Sequence, residues 1–126
     1  MNENEQAFGK FIEERRKSLG ITLRGFAAEL EIAPAYMSDI EKGRRYPPDK
    51  KLDEIARILK LTAAEKEQLL DMAALTRVKT VSPDLPEYIM EKDLARVALR
   101  RARDGKLTDE GWQEVIDLIN KKVGDE

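Results

Sequence analysis

The chain has 126 residues, of which 41% are hydrophobic and 38% charged, and it contains no cysteine and no histidine. This composition excludes disulfide frameworks, zinc sites built from cysteine or histidine, and histidine-based acid–base catalysis. The length corresponds to one domain, or to a small domain with an appendage, and the formal net charge of −2 indicates neither a nucleic acid nor a membrane as partner.

No part of the sequence is predicted to enter a membrane. The longest apolar run, from Met72 to Leu75, is far shorter than the roughly 20 residues that a spanning helix needs. The polar N-terminus also differs from a signal peptide. We therefore expect a soluble, cytoplasmic protein, and no metal or other cofactor is predicted.

Helical spacing and helix punctuation recur along the chain, whereas strand signals are weak, so an all-α fold is predicted. Thr22 is a plausible N-cap, Pro34 suits a first helical position, and Thr62 with Glu65 forms a capping box. These signals place the first five helices at about residues 5–19, 22–30, 33–42, 49–59 and 62–77.

A connection without periodicity, residues 76–85, separates this part from the rest of the chain. Two further helices are predicted, at about 86–103 and 108–123. We therefore divide the chain into an N-terminal domain, residues 1–77, and a helical appendage, residues 78–126. The last helix carries an apolar stripe that we interpret as an interface for a second copy or another protein, formed by Trp112, Val115, Ile116 and Ile119. Packing of this stripe onto the fifth helix is the alternative.

The second and third helices are short and are joined by a tight turn, as in a helix-turn-helix. Apolar residues fall where that motif needs them, at Phe26, Ala27, Leu30, Ile32, Met37 and Ile40. The surrounding run TLRGFAAELEIAPAYMSDIEKGRRYP resembles the Xre/Cro family of phage-repressor-like helix-turn-helix proteins. The resemblance covers about residues 8–75 and implies a five-helix lambda-repressor-like domain that binds double-stranded DNA.

By this resemblance, residues 33–42 form the recognition helix, which lies in the major groove. The candidates for base contact are Pro34, Ala35, Tyr36, Ser38 and Asp39. This set lacks the Arg, Asn or Gln that dominates direct readout, so part of the specificity is expected to come from DNA shape. Candidates for phosphate contact are Thr22, Arg24, Lys42, Arg44, Arg45, Lys50 and Lys51.

The charge balance differs between regions. Residues 42–51, which we call the basic segment, carry five basic and one acidic side chain, a net charge of +4. Residues 1–80 carry 15 basic and 14 acidic side chains, and residues 81–126 carry 8 and 11. The acidity of the whole chain therefore comes mainly from the appendage.

The resemblance also assigns structural roles. It implies that Arg16 and Glu41 form an interior ion pair between the first helix and the end of the recognition helix. Two positions depart from the family pattern. Ala33 stands where Ser or Thr usually caps the recognition helix, and Glu31 stands where the turn usually has Gly.

The leading hypothesis is a sequence-specific transcription regulator, a repressor that binds a pseudo-palindromic operator as a homodimer. The alternative is an antitoxin or adapter whose appendage binds a protein partner and whose DNA binding is autoregulatory. An enzyme is not predicted, because the serines lack a histidine partner and no phosphate-binding glycine loop is present.

Overall fold

The computed structural model describes residues 3–77 and 80–124. Within these ranges it contains eight α-helices and no strand, which confirms the predicted all-α class. The chain divides into two compact units between Pro86 and Glu87, nine residues after the predicted domain boundary. The first unit contains α1 (Glu3–Ser18), α2 (Leu23–Leu30), α3 (Pro34–Glu41), α4 (Asp49–Ile58) and α5 (Ala63–Leu75).

The five helices of the first unit enclose one hydrophobic core. α1 packs against α3 and α5, while α2 packs against α3 and α4. Every helix contributes buried side chains because its apolar residues recur at helical spacing. The largest fully buried side chains are Phe8, Ile12, Phe26, Leu30, Met37, Ile40, Leu52, Ile55, Leu59 and Leu69.

Gly9 allows α1 to approach the end of α3 closely. A Cβ atom at this position would lie 2.3 Å from the carbonyl oxygen of Glu41 and 2.6 Å from that of Ile40. Gly43 has a left-handed φ of 80° and faces the backbone of Glu5. The C-terminal end of the recognition helix is therefore held against α1 at two points where no larger residue fits.

The helix caps are the local features that the sequence predicted best. The Thr22 hydroxyl oxygen accepts a hydrogen bond from the Gly25 N–H, and Thr62 and Glu65 form the reciprocal bonds of a capping box. Ala33 caps α3 without any side-chain hydrogen bond, and Glu31 has a left-handed φ of 58°. The two departures from the family pattern thus leave α3 without a side-chain cap and place a non-glycine residue in a left-handed turn.

The chain after α5 folds back on that helix. Ser82 is buried, and its hydroxyl group donates a short hydrogen bond to the carboxylate of Asp71. The residues up to Pro86 consequently belong to the first unit.

The second unit contains α6 (Pro86–Glu91, which begins at the boundary), α7 (Asp93–Asp104) and α8 (Asp109–Val123). The predicted single helix over 86–103 is therefore wrong, because the chain leaves helical geometry at Lys92. The Arg96 guanidinium stabilises this break by donating to the carbonyl oxygens of Ile89 at 2.9 Å and Met90 at 2.6 Å. Both carbonyls lie in the last turn of α6, where the chain makes no i+4 hydrogen bonds, and the Ile89 carbonyl also accepts from the Lys92 N–H at 3.2 Å.

No described residue of α6, α7 or α8 is buried. Across residues 3–77 and 80–124, no helix is both long and apolar enough to cross a lipid bilayer.

Candidate nucleic-acid interface

α2 and α3 form a two-helix corner around the turn at residues 31–33. Phe26 and Ala27 on α2 are fully buried, as are Met37 and Ile40 on α3. The small side chain of Ala27 suits the point where the two helices pack together. This packing fixes the opposite face of α3 outward, and that face carries most of the predicted base-contact residues.

The outward face of α3 is small and weakly polar. Pro34 and Ala35 are exposed, whereas Tyr36, Ser38 and Asp39 are half-buried. Asp39 is engaged by Arg44, whose guanidinium lies 3.9 Å from the carboxylate. The helix itself therefore presents few free hydrogen-bonding groups to a partner.

Arg16 and Glu41 lie together in the interior beside this surface. The Arg16 Nε and Nη2 atoms donate to the two Glu41 carboxylate oxygens at 2.6 and 2.9 Å, and Nη1 donates to the Ile21 carbonyl oxygen at 2.9 Å. Both side chains are less than 10% exposed. The hydrogen bonds to Glu41 raise the pKa of Arg16 above its ordinary value. This bidentate pair anchors the end of the recognition helix to α1.

The basic segment begins where α3 ends and presents its cations beside that helix. Lys42, Arg44 and Arg45 are exposed and follow α3 directly. Lys51 is different, because its side chain is only 20% exposed and its ammonium group lies 3.4 Å from the Glu54 carboxylate. The three cations nearest α3 are therefore better placed for phosphate contact than Lys51.

Lys50 also has an unfavourable setting for phosphate contact. It lines a shallow pocket together with three carboxylate residues, Asp49, Asp53 and Asp84. These negative charges oppose the approach of a phosphate group. Thr22 and Arg24, at the start of α2, are exposed, and the Thr22 hydroxyl oxygen is engaged in the cap of that helix.

Tyr36 connects the recognition helix with the basic segment. Its hydroxyl group donates a 2.8 Å hydrogen bond to the carbonyl oxygen of Tyr46, and the Arg45 guanidinium carbon lies 4.2 Å from the ring centroid. The ring is thus held between its two partners. Its freedom to contact DNA is limited accordingly.

Tyr46 extends these contacts to the end of α5. Its hydroxyl group donates to the Thr76 carbonyl oxygen at 2.6 Å, and Arg77 lies over its ring at 4.7 Å while pairing with Asp49 at 3.3 Å. Tyr46 is not among the site residues predicted from the sequence. No local signal identifies these contacts, because Tyr46 and Thr76 are 30 residues apart.

The predicted interface residues of the appendage all lie on α8. Trp112, Ile116 and Ile119 are 36%, 47% and 51% exposed, and Val115 is half-buried. They form one face of the helix, as the spacing predicted, and no described part of the second unit covers them fully.

A short two-helix corner inside a five-helix core, with an outward recognition helix and a flanking basic loop, defines a DNA-binding domain of the helix-turn-helix class. Residues 12–66 match the helix-turn-helix family HTH_3. Residues 12–66 therefore form a helix-turn-helix domain of this type, and the resemblance found in the sequence is confirmed.

Solved structures that are similar to the chain include the following two. One is the clp gene regulator ClgR from C. glutamicum, with 27% identity and a TM-score of 0.48, covering 60% of this chain and 92% of that one. The other is from the SinR protein/SinI protein complex, with 18% identity and a TM-score of 0.45, covering 94% of this chain and 99% of that one. No curated protein sequence matches the chain.

Proposed function

We propose that the protein is a sequence-specific transcription regulator that binds double-stranded DNA and acts as a repressor. The observation that carries this proposal is the outward face of α3 with Lys42, Arg44 and Arg45 exposed directly beside it. A major groove accommodates one α-helix, and cations next to that helix meet the phosphates at the groove edge. A cytoplasmic location follows from this proposal, because such a regulator works in the compartment that holds the DNA.

Phosphate contacts and base contacts have different roles in this proposal. Contacts from Lys42 and Arg44 to phosphates supply affinity and fix the orientation of the domain. The face of α3 supplies part of the base discrimination, with Ala35 suited to a thymine methyl group and Ser38 to a polar base edge. Binding to a site that overlaps a promoter would block access of RNA polymerase, so repression needs no further activity of the protein.

A homodimer is the second element of the proposal. The helices of the second unit have no buried residue and leave large apolar side chains exposed, including Leu94 at 83% and Ile116 at 47%. About 40 residues without a core do not form a stable unit by themselves. Burial of these faces against another polypeptide would supply the missing core.

The charges of the second unit favour a second copy as that polypeptide. α7 carries four basic and two acidic side chains, and α8 carries two basic and four acidic ones. A two-fold arrangement that places α7 of one copy against α8 of the other would pair these opposite charges twice. Two recognition helices would then read half-sites about one helical turn, ~34 Å, apart.

Selection of bound sites from random DNA tests the function. We expect enrichment of a pseudo-palindrome with half-sites separated by about 10 base pairs. Failure of the 126-residue chain to enrich any sequence would contradict the proposal. Loss of a reporter's repression when the enriched site is altered would support the regulatory role, whereas raised transcription from the intact site would contradict repression.

The dimer has its own test, which uses Ile116→Glu with Lys121→Glu as a matched control. Both variants add a glutamate to α8, but Lys121 lies on the opposite face from the apolar stripe and its replacement removes none of the acidic side chains of α8. Analytical ultracentrifugation should show a monomer for the first variant and a dimer for the second. A wild-type protein that is monomeric at micromolar concentration would contradict the homodimer.

The same uncovered faces support one alternative, an antitoxin or adapter that binds a different protein through the second unit. The two candidates predict different behaviour of the purified chain. A stable homodimer favours the regulator, whereas a chain that aggregates until it is co-expressed with a particular partner favours the adapter.

A further inference from the structure

The recognition helix lacks a strong base-reading side chain, and the structure places one next to it from outside the helix. The exposed positions of α3 include no Arg, Asn or Gln. Arg45, four residues after the helix ends, has its guanidinium carbon 4.2 Å from the centroid of the Tyr36 ring. Tyr36 is itself a residue of α3, so Arg45 lies against the helix that faces the DNA.

Arg45 differs from its neighbours in the basic segment by its contacts. Arg44 pairs with Asp39, and Lys51 pairs with Glu54. In the described part of the chain, the Arg45 guanidinium lies over the ring of Tyr36 and makes no hydrogen bond or ion pair. Stacking on a ring uses the face of a guanidinium and leaves its in-plane donors free.

The stacking platform is itself held in place. The Tyr36 hydroxyl donates to the Tyr46 carbonyl oxygen at 2.8 Å, and Tyr46 is tied to Thr76 at 2.6 Å. A guanidinium resting on a fixed ring has fewer conformations to lose on binding than a free surface arginine, so its orientation is set before DNA arrives.

We infer that Arg45 is a specificity-determining residue that reads a guanine in the major groove, with Tyr36 as its positioning residue. A planar guanidinium with two free parallel N–H groups matches the O6 and N7 acceptors of guanine. This assignment replaces a phosphate contact for Arg45 and rests on the proposed DNA-binding function. It predicts one guanine in each half-site that Arg45 recognises.

The main experiment compares the sites that wild type, Arg45→Lys and Arg44→Ala select from random DNA. Arg45→Lys keeps the charge but loses the planar fork, so preference for guanine at one position should fall roughly 10-fold or more while the salt dependence stays unchanged. Arg44→Ala, the matched control, should keep the base preference and reduce the salt slope by about one. If Arg45→Lys selects the same sites as wild type, the inference is wrong.

A substituted base tests the contact directly. 7-Deazaguanine lacks the N7 acceptor, so placing it at the assigned position should weaken wild-type binding but leave Arg45→Ala binding unaffected. Equal weakening of both proteins, or no weakening of either, would overturn the major-groove contact. A wild-type protein that selects no sequence would instead contradict the proposed function, so the two failures are distinguishable.

Two variants of Tyr36 examine the positioning role. Tyr36→Phe keeps the ring and loses the hydrogen bond to Tyr46, whereas Tyr36→Leu loses the ring as well. Guanine preference should survive largely in the first and fall toward the level of Arg45→Lys in the second. Equal preference in both variants and wild type would show that the ring does not orient Arg45.

Discussion

The Tyr46 hydroxyl group donates a 2.6 Å hydrogen bond to the carbonyl oxygen of Thr76, which ties the basic segment to the end of α5. Replacement by Tyr46→Phe removes this bond while keeping the ring under Arg77. We expect the free energy of unfolding to fall by about 1 kcal/mol. DNA affinity should also fall, because the segment must then be ordered during binding.

Urea denaturation and DNA titration measure the two effects of Tyr46→Phe. Tyr88→Phe is the control, since Tyr88 is 57% exposed on α6. Unchanged affinity in Tyr46→Phe would show that the Thr76 contact does not contribute to ordering the basic segment.

The buried pair of Arg16 and Glu41 gives a prediction about stability. Arg16→Met leaves the Glu41 carboxylate buried without its guanidinium, which should destabilise the first unit by roughly 3 to 5 kcal/mol. The double variant Arg16→Met/Glu41→Leu removes both charges and should recover part of this loss. A double-mutant cycle measured by denaturation gives the coupling, and additive losses would argue against a strong pair.

Gly9 should be intolerant of even one methyl group. In Gly9→Ala the added Cβ would lie 2.3 Å from the Glu41 carbonyl oxygen, so α1 and α3 must move apart. We expect a loss of about 1 to 3 kcal/mol despite the better helix propensity of alanine. Gly25→Ala is the comparison, because its added Cβ would meet only the Thr22 hydroxyl oxygen, at 3.0 Å. Equal stabilities of the two variants would contradict the close-packing argument.

The left-handed Glu31 offers a stabilising substitution. Its φ of 58° favours glycine, so Glu31→Gly should raise the free energy of unfolding by roughly 0.5 to 1 kcal/mol. Glu29→Gly, two positions earlier and inside α2, should instead lower it by about 1 kcal/mol. Thermal or chemical denaturation of the two variants should show opposite signs, and a loss in both would count against the strain at Glu31.

Ionisation of Glu65 should make the free energy of unfolding depend on pH in the acidic range. Hydrogen bonds from Arg15, and then from the Thr62 N–H, lower the pKa of Glu65 below its ordinary value. Because the folded pKa is the lower one, the ionised carboxylate stabilises the fold above the unfolded pKa. This contribution is lost as the pH falls through the folded pKa.

Denaturation between pH 5 and pH 3 tests this response. Wild type should lose more stability over this interval than Glu65→Gln, which has no charge to lose. Glu67→Gln, exposed on the same helix, is the matched control and should follow wild type. Parallel curves for wild type and Glu65→Gln would rule out a role for the carboxylate.

The predictable part of the fold rests on local rules. The cap at Thr22 and the capping box at Thr62 follow from side chains that bond to backbone groups three residues away. The helix-turn-helix core was equally accessible, because its apolar spacing is fixed by the geometry of two short helices. These features need no knowledge of distant contacts.

The features that the sequence did not predict depend on contacts between residues far apart in the chain, or on whether a helix continues or breaks at one residue. The break at Lys92 lies inside a sequence with continuous helix propensity, and a hydrogen bond from Arg96 to the Ile89 carbonyl oxygen spans it. The contacts of Tyr36 with Arg45 and Tyr46 arise only once the basic segment has folded beside α3. The close approach of α3 to Gly9 could not be predicted, because a glycine inside a helical pattern does not show which element packs against it.

The hydrogen bond from Ser82 to Asp71 determines where the protein can be shortened. Ser82 is buried, so the chain beyond α5 is part of the first unit and covers one side of that helix. A fragment that ends at Arg77 would remove this cover and expose α5 around Asp71 and Ala74 to water. A fragment that ends at Pro86 would keep it, and is the better starting material for crystals of the DNA-binding unit with an oligonucleotide.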